Sequence, residues 1–241
     1  MNTKAEVPAA EKRPNLAAGI AKRVGTIAAF LIAQLLILFL VSGQSGWIWP
    51  WVYAGISLGV MLINGSVMLR TGLETIAERG QPKETKDWDK VISGILVLFQ
   101  YLSLPLIAGL DKRFSWSGEI SVAWNLAGAA LLAAGSGLTS WAMITNAFFS
   151  TAVRIQEERG HTVCSSGPYH FVRHPGYVGF ILQSLGTAIL LGSFWAVIPG
   201  SLASISIVIR TALEDRMLQA ELSGYQDYVK DVRYRLIPGV W

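Results

Sequence analysis

Apolar residues run along this chain in long blocks separated by short polar stretches. Six blocks are long enough to cross, or nearly cross, a hydrocarbon core of ~30 Å. They cover residues 24–42, 47–69, 91–110, 121–144, 177–192 and 194–210. The pattern predicts an all-α integral membrane helix bundle of about six transmembrane helices. The last two blocks meet at "GSFWAVIPG" and read as a tight helical hairpin; counted as one long irregular helix, they leave five spans. The fourth block, "SVAWNLAGAALLAAGSGLTSW", carries Ala129, Ala133 and Gly137 at four-residue spacing, which predicts a close-packing face in lipid. Residues 71–90, "TGLETIAERGQPKETKDWDK", are charged enough to form a solvated loop with a short surface helix.

Composition supports the membrane class. Of the 241 residues, 52% are hydrophobic and 15% charged, where a soluble domain carries about 25% charge. A polar N-terminal tail of 23 residues precedes "TIAAFLIAQLLILFLV", a run longer than a cleaved signal sequence uses, so a retained anchor is expected. A single cysteine, Cys164, rules out an internal disulfide.

The net charge of +4 would suit nucleic acid in a soluble protein. Here its distribution argues for membrane topology instead. All but two of the 20 Lys and Arg fall in the tail 1–23, the loop 70–90, the loop 145–176 or the stretch from Arg210 onward. Those four regions share one side of a six-span arrangement, and only Lys112 and Arg113 lie on the other. The positive-inside rule then puts both termini in the cytoplasm, as for a bacterial inner-membrane protein, with Trp47, Trp49, Trp51, Trp116 and Trp195 at the far interface. Every histidine faces the cytosol in this arrangement, so a site built from them is a cytoplasmic pocket fed by a soluble cofactor.

The chemistry-bearing residues concentrate in "GPYHFVRHPGYVGF", Gly167 to Phe180, which holds His170 and His174, two of the chain's three histidines. A metal site from Cys164, His170 and His174 is disfavoured, because Pro175 pushes His174 out of helical geometry and no carboxylate completes the set. No glycine-rich dinucleotide or phosphate-binding motif occurs. Arg210 and Glu214, four apart at the end of the last apolar block, share a helix face. They are either an exposed ion pair or a functional pair at the membrane surface, where an unpaired charge is costly.

"HTVCSSGPYHFVRHPGYVGF", then a hairpin, then "RTALEDRML" and "GYQDYVKDVRYRLIPGVW" resemble the isoprenylcysteine carboxyl methyltransferases and their phospholipid-methyltransferase relatives. The resemblance covers residues 146–241; the spans in 24–145, with their cytoplasmic loop 70–90, show no such motif. It implies a methyltransferase using S-adenosylmethionine at the cytoplasmic membrane face, with residues 146–241 as the catalytic region. By the same resemblance, Gln156, His161, Thr162, Val163, Cys164, Tyr169, Arg173, His174, Pro175, Gly176 and Tyr177 would bind the cofactor, with no metal. Arg210 and Glu214 would be catalytic, either as an arginine that orients a carboxylate acceptor and is held by Glu214, or with Glu214 as a base. Tyr225 and Tyr228 would pack the tail over the site. The lipophilic acceptor would be a prenylated cysteine, or alternatively a phospholipid amine or a small thiol; nucleic acid is not expected as a partner. Two other classes stay open: a nicotinamide-dependent membrane reductase and a non-catalytic membrane scaffold.

Overall fold

The computed structural model describes residues 16–71 and 85–241. Among them the chain is all-helical. Its elements are α1 (Leu16–Ser42), α2 (Ile48–Thr71), α3 (Asp87–Phe114), α4 (Val122–Thr145), α5 (Pro175–Leu190), α6 (Val197–Glu221) and α7 (Tyr225–Asp231). Two short turns of 3₁₀ helix, Glu157–Arg159 and Gly167–His170, lie between α4 and α5. The tail before residue 16 and residues 72–84 of the charged loop lie outside the described residues.

Five helices, α1 to α4 and α6, are long and apolar enough to cross a membrane. The helix α5 has 16 residues, a length of about 24 Å at 1.5 Å per residue. It is a separate helix, and with α6 it forms the hairpin expected from the sequence. Contacts run antiparallel between neighbours: Tyr53 of α2 bonds Gln34 of α1, and Gly200 of α6 abuts Ser184 of α5. Successive helices therefore alternate in direction, and the N-termini of α3 and α5 lie at the same end of the bundle as the C-terminus of α6.

Polar side chains tie this bundle together where lipid offers no alternative partner. Pro105 cannot donate into the ladder of α3, and a π-helical turn, Val97–Ser103, precedes it. Gln34 donates to the Gln100 carbonyl in that turn and accepts from the Tyr53 hydroxyl at 2.8 Å. At the opposite end from the histidines, the buried Asp111 accepts from the Ser117 amide at 2.7 Å and from the hydroxyls of Ser117 and Ser193. Trp51, Trp116 and Trp195 are exposed near that end, whereas Trp47 is buried in the core.

The α4–α5 pair is the tightest contact, and it uses a face other than the one predicted. Ala133 and Gly137 are exposed; Gly128 and Gly135 are the buried glycines of α4. A Cβ on Gly128 would lie 2.1 Å from the Leu190 amide nitrogen, and one on Gly135 would lie 2.6 Å from the Gly179 carbonyl oxygen. Small residues surround α4 on all sides, so four-residue spacing alone did not identify the contact face. Gly128→Ala should cost about 1–3 kcal/mol, because backbone rather than a flexible side chain must move. Gly137→Ala, with nothing within 4 Å, should be neutral or stabilising; thermal melting of the two variants in detergent checks the contrast.

Candidate active site

Between α4 and α5 the chain folds into a loop closed by its own polar groups. The Asn146 side chain accepts from the Phe148 amide at 2.9 Å, and the Phe148 carbonyl accepts from Gln156 Nε2 at 2.7 Å. The His161 ring stacks on Phe148 with centroids 4.5 Å apart, and His161 Nδ1 accepts from the Gln156 amide at 3.3 Å. Burial first, then the nearby Arg154 and Arg159, hold the His161 pKa down to about 4. His161 is therefore neutral near pH 7, and the bond at Nδ1 leaves its proton on Nε2.

The loop ends at Pro175, which opens α5 at a position where its missing N–H costs nothing. His174, just before it, has non-helical backbone angles, as a residue preceding proline should. The amides of Arg173 and His174 donate to the carbonyls of Tyr234 and Arg235 at 2.9 and 3.0 Å, which fastens the C-terminal tail to the loop. The Tyr228 hydroxyl adds a bond to the Tyr169 carbonyl at 2.6 Å.

Asp215 is the hub of this fastening, and the sequence reading gave it no role. It is fully buried. Its carboxylate takes Arg173 at 2.7 and 3.1 Å, Arg235 at 2.8 Å, the Tyr225 hydroxyl at 3.1 Å and Gln219 at 2.8 Å. His174 Nε2 lies 3.4 Å from the same group. Burial alone would pull Arg173 down, but its bonds and charge pairing with Asp215 raise it, so it stays a cation. Burial and the Asp215 charge push the Tyr225 phenol up, so it stays neutral. One step along a helix turns a side chain by about 100°, so Glu214 and Asp215 serve different neighbours. A tandem of acids in α6, with Arg173, Arg233 and Arg235 elsewhere, was the available signal.

Loop, tail and the ends of α5 and α6 line a cleft that opens to solvent. Ten of the sequence-predicted residues line it: His161, Thr162, Val163, Cys164, Tyr169, Arg173, His174, Gly176, Tyr177 and Glu214. Three do not. Gln156 is buried behind the wall, held by the Phe148 carbonyl and by Arg159 at 2.6 Å. Pro175 is buried at the start of α5. Arg210 stands behind Tyr177, its guanidinium 5.6 Å from the ring centroid. Sequence reasoning missed Asn146, Phe148, Phe149, Arg154 and Met217 in the lining, and Tyr225 and Tyr228 line it besides packing the tail.

The pairing of Arg210 also differs from expectation. Its carboxylate partner is Asp89 of α3, with Nη2 at 2.8 Å from Oδ1, and the same nitrogen donates to the Thr151 carbonyl at 2.8 Å. Glu214 instead accepts from the Tyr177 hydroxyl. His174 lies parallel to Tyr177, with centroids 5.7 Å apart. Among the described residues, no three His, Cys, Asp or Glu side chains converge as a metal site would require.

These features define an all-helical, multi-pass integral membrane protein with a cleft at one end of its bundle. A solved structure of the eukaryotic intramembrane Ras methyltransferase, isoprenylcysteine carboxyl methyltransferase, shares the fold, with a TM-score of 0.54 and 21% identity over 90% of this chain and 77% of that one. The sequence model of the isoprenylcysteine carboxyl methyltransferase family matches residues 122–220 of this chain. The protein-S-isoprenylcysteine O-methyltransferase of Schizosaccharomyces pombe is 42% identical over 64 residues, 26% of this chain and 27% of that protein. Protein-S-isoprenylcysteine O-methyltransferase B of Arabidopsis thaliana is 34% identical over 105 residues, 42% of this chain and 53% of that protein. The Xenopus laevis protein-S-isoprenylcysteine O-methyltransferase is 30% identical over 124 residues, 50% and 41% respectively. Each match thus spans between about a quarter and about half of the relative's length.

Proposed function

We propose that this protein is an S-adenosylmethionine-dependent methyltransferase that acts on a lipophilic acceptor, a prenylated cysteine carboxylate, at the cytoplasmic face of a membrane. The observation that carries this reading is the cleft itself. Its solvent-open part is walled by a polar loop, and its inner part reaches Tyr177, Glu214 and, behind them, Arg210, at the ends of two apolar helices. Such a place joins a water-soluble donor to a membrane-embedded acceptor.

The lining fits the donor. When bound, S-adenosylmethionine supplies a methyl group on a sulfonium cation, ready for in-line displacement. The ring faces of Tyr169, Tyr177, Tyr225 and Tyr228 can hold a cation by its attraction to aromatic electrons. His161, kept neutral, adds a hydrogen-bond donor without charge repulsion. Arg173 is engaged by Asp215 and by the carbonyls of Val232 and Arg233 at 2.8 and 2.7 Å, so its role is to shape the cleft. Arg154, also in the lining, pairs with Glu158 at 2.7 Å and brings positive charge to the wall that would meet the donor's carboxylate.

At the acceptor end, Arg210 Nε is buried and has no hydrogen-bond partner among the described residues. A buried donor left unsatisfied is costly, and an acceptor carboxylate would satisfy it. Such a carboxylate is already a nucleophile, so these residues need only orient it and exclude water. A second reading, a phospholipid amine or a small thiol as acceptor, is favoured by one observation. Glu214 is held by Tyr177 rather than by Arg210, which leaves a carboxylate in the lining that can take a proton.

Titration of the purified protein in detergent with S-adenosylhomocysteine, and in parallel with reduced nicotinamide dinucleotide, tests the class. Binding of the first alone is expected, and it should be followed by labelled methyl transfer to N-acetyl-S-farnesylcysteine in preference to phosphatidylethanolamine or a short thiol. Binding of the nicotinamide alone would make the protein a reductase, and binding of neither would leave a scaffold.

A further inference from the structure

Asp89 lies in the N-terminal half, before the segment that matches the family. It sits in the first turn of α3 and is completely buried. Acidic residues at a helix start are favoured by the helix dipole, but exposure to water is enough for that. Asp87, in the same turn, already meets it from the surface, paired with Lys90 at 2.7 Å. Taking a second carboxylate out of water costs several kcal/mol unless partners replace the solvent, so its burial calls for another explanation.

The partners supply one. Asp89 Oδ1 lies 2.8 Å from Arg210 Nη2, and Oδ2 accepts from the Val153 amide at 2.9 Å. Val153 and Ala152 line the cleft, and the Thr151 carbonyl just before them accepts from Arg210. One carboxylate thus joins the arginine of the acceptor end to the cleft wall. With Asp89 as its counter-ion, the Arg210 guanidinium is held beside Tyr177, Glu214 remains with the Tyr177 hydroxyl, and Arg210 Nε stays unpartnered.

We propose that Asp89 is a positioning residue of the acceptor site: it fixes the direction in which Arg210 presents its remaining donor and pins residues 151–153 against it. This rests on the methyltransferase reading above. It also makes α3 part of the site, so that the N-terminal half does more than anchor the chain.

The test is steady-state methyl transfer to N-acetyl-S-farnesylcysteine by the full chain in detergent, with the affinity for S-adenosylhomocysteine measured alongside. Asp89→Asn should lower kcat/KM for the acceptor at least about tenfold, the size of a broken contact between coupled groups. Donor affinity should change by less than about twofold, because Asp89 does not line the cleft. Acceptor kcat/KM unchanged in a folded Asp89→Asn, or donor affinity and acceptor kcat/KM falling together, would overturn the proposal. Should that variant not fold, the neutral pair Asp89→Asn/Arg210→Gln is compared with Arg210→Gln alone. A kcat/KM equal to or above that of Arg210→Gln alone supports the proposal, since Asp89 acts through Arg210 and no orphaned carboxylate remains, and a further tenfold loss refutes it. A wild-type protein that neither binds the donor analogue nor transfers methyl to this acceptor sinks the functional reading and this inference with it. An active wild type with a silent Asp89→Asn sinks only the inference.

Discussion

Asp215→Ala is expected to lower stability by about 3–5 kcal/mol and to release the C-terminal tail from the bundle. Arg173, with its side chain 3% exposed, would then be a buried cation whose remaining partners are the carbonyls of Val232 and Arg233. Those carbonyls belong to the tail, and the tail itself is held by Arg235 through Asp215. Loss of one carboxylate therefore breaks both ends of the fastening at once. Arg235→Gln should cost less, because Arg235 is 31% exposed and water can replace its partner. Gln219→Ala removes one neutral donor from the cluster and should cost about 1 kcal/mol. Thermal melting in detergent gives the order of these effects. Hydrogen exchange at the amides of Arg173 and His174, now bonded to Tyr234 and Arg235, reads tail release directly. Unchanged exchange at those two amides in Asp215→Ala would show that the tail is held by other contacts.

The same cluster shows where sequence reading stops. Hydrophobic blocks located every long helix to within a few residues, save that α1 and α6 run on into charged sequence, because a span must present apolar surface whatever its neighbours are. Pro175 fixed the start of α5 for a similarly local reason. The face of α4 was not legible, because Gly128 and Gly135 are distinguished from Gly137 only by what α5 brings against them. Nor was the partner of Arg210. Helical spacing proposed Glu214, yet Asp89 arrives from another helix, and nothing in the local pattern of either residue announces the other. Asp215 escaped for the converse reason: Glu214 beside it has the helical spacing to Arg210, while the two arginines that Asp215 binds lie far apart in the chain, Arg173 in the loop and Arg235 in the tail. Local periodicity reports on burial, and the pairing of buried charges is decided by tertiary contacts.

Arg210→Gln and Glu214→Gln should separate in activity, and the way they separate identifies the acceptor chemistry. A carboxylate acceptor arrives already ionised, and what it requires is a fixed guanidinium, which presents donors in a planar fork that a glutamine cannot copy. Arg210→Gln should then lose roughly 10²- to 10³-fold in kcat/KM for the acceptor, the scale of a broken buried charge pairing. Glu214→Gln keeps an oxygen that can accept from the Tyr177 hydroxyl, and should lose roughly tenfold or less. Since Arg210→Gln also strips Asp89 of its counter-ion, the comparison is repeated with Asp89→Asn, where no orphaned carboxylate remains to distort the site. An amine or thiol acceptor inverts the order. A proton must then leave before the methyl arrives, and Glu214→Gln would lose roughly 10²- to 10⁴-fold. Arg210→Gln would matter less in that case. Steady-state rates of the two variants, measured on each acceptor class, decide between an arginine that aims a nucleophile and a glutamate that makes one.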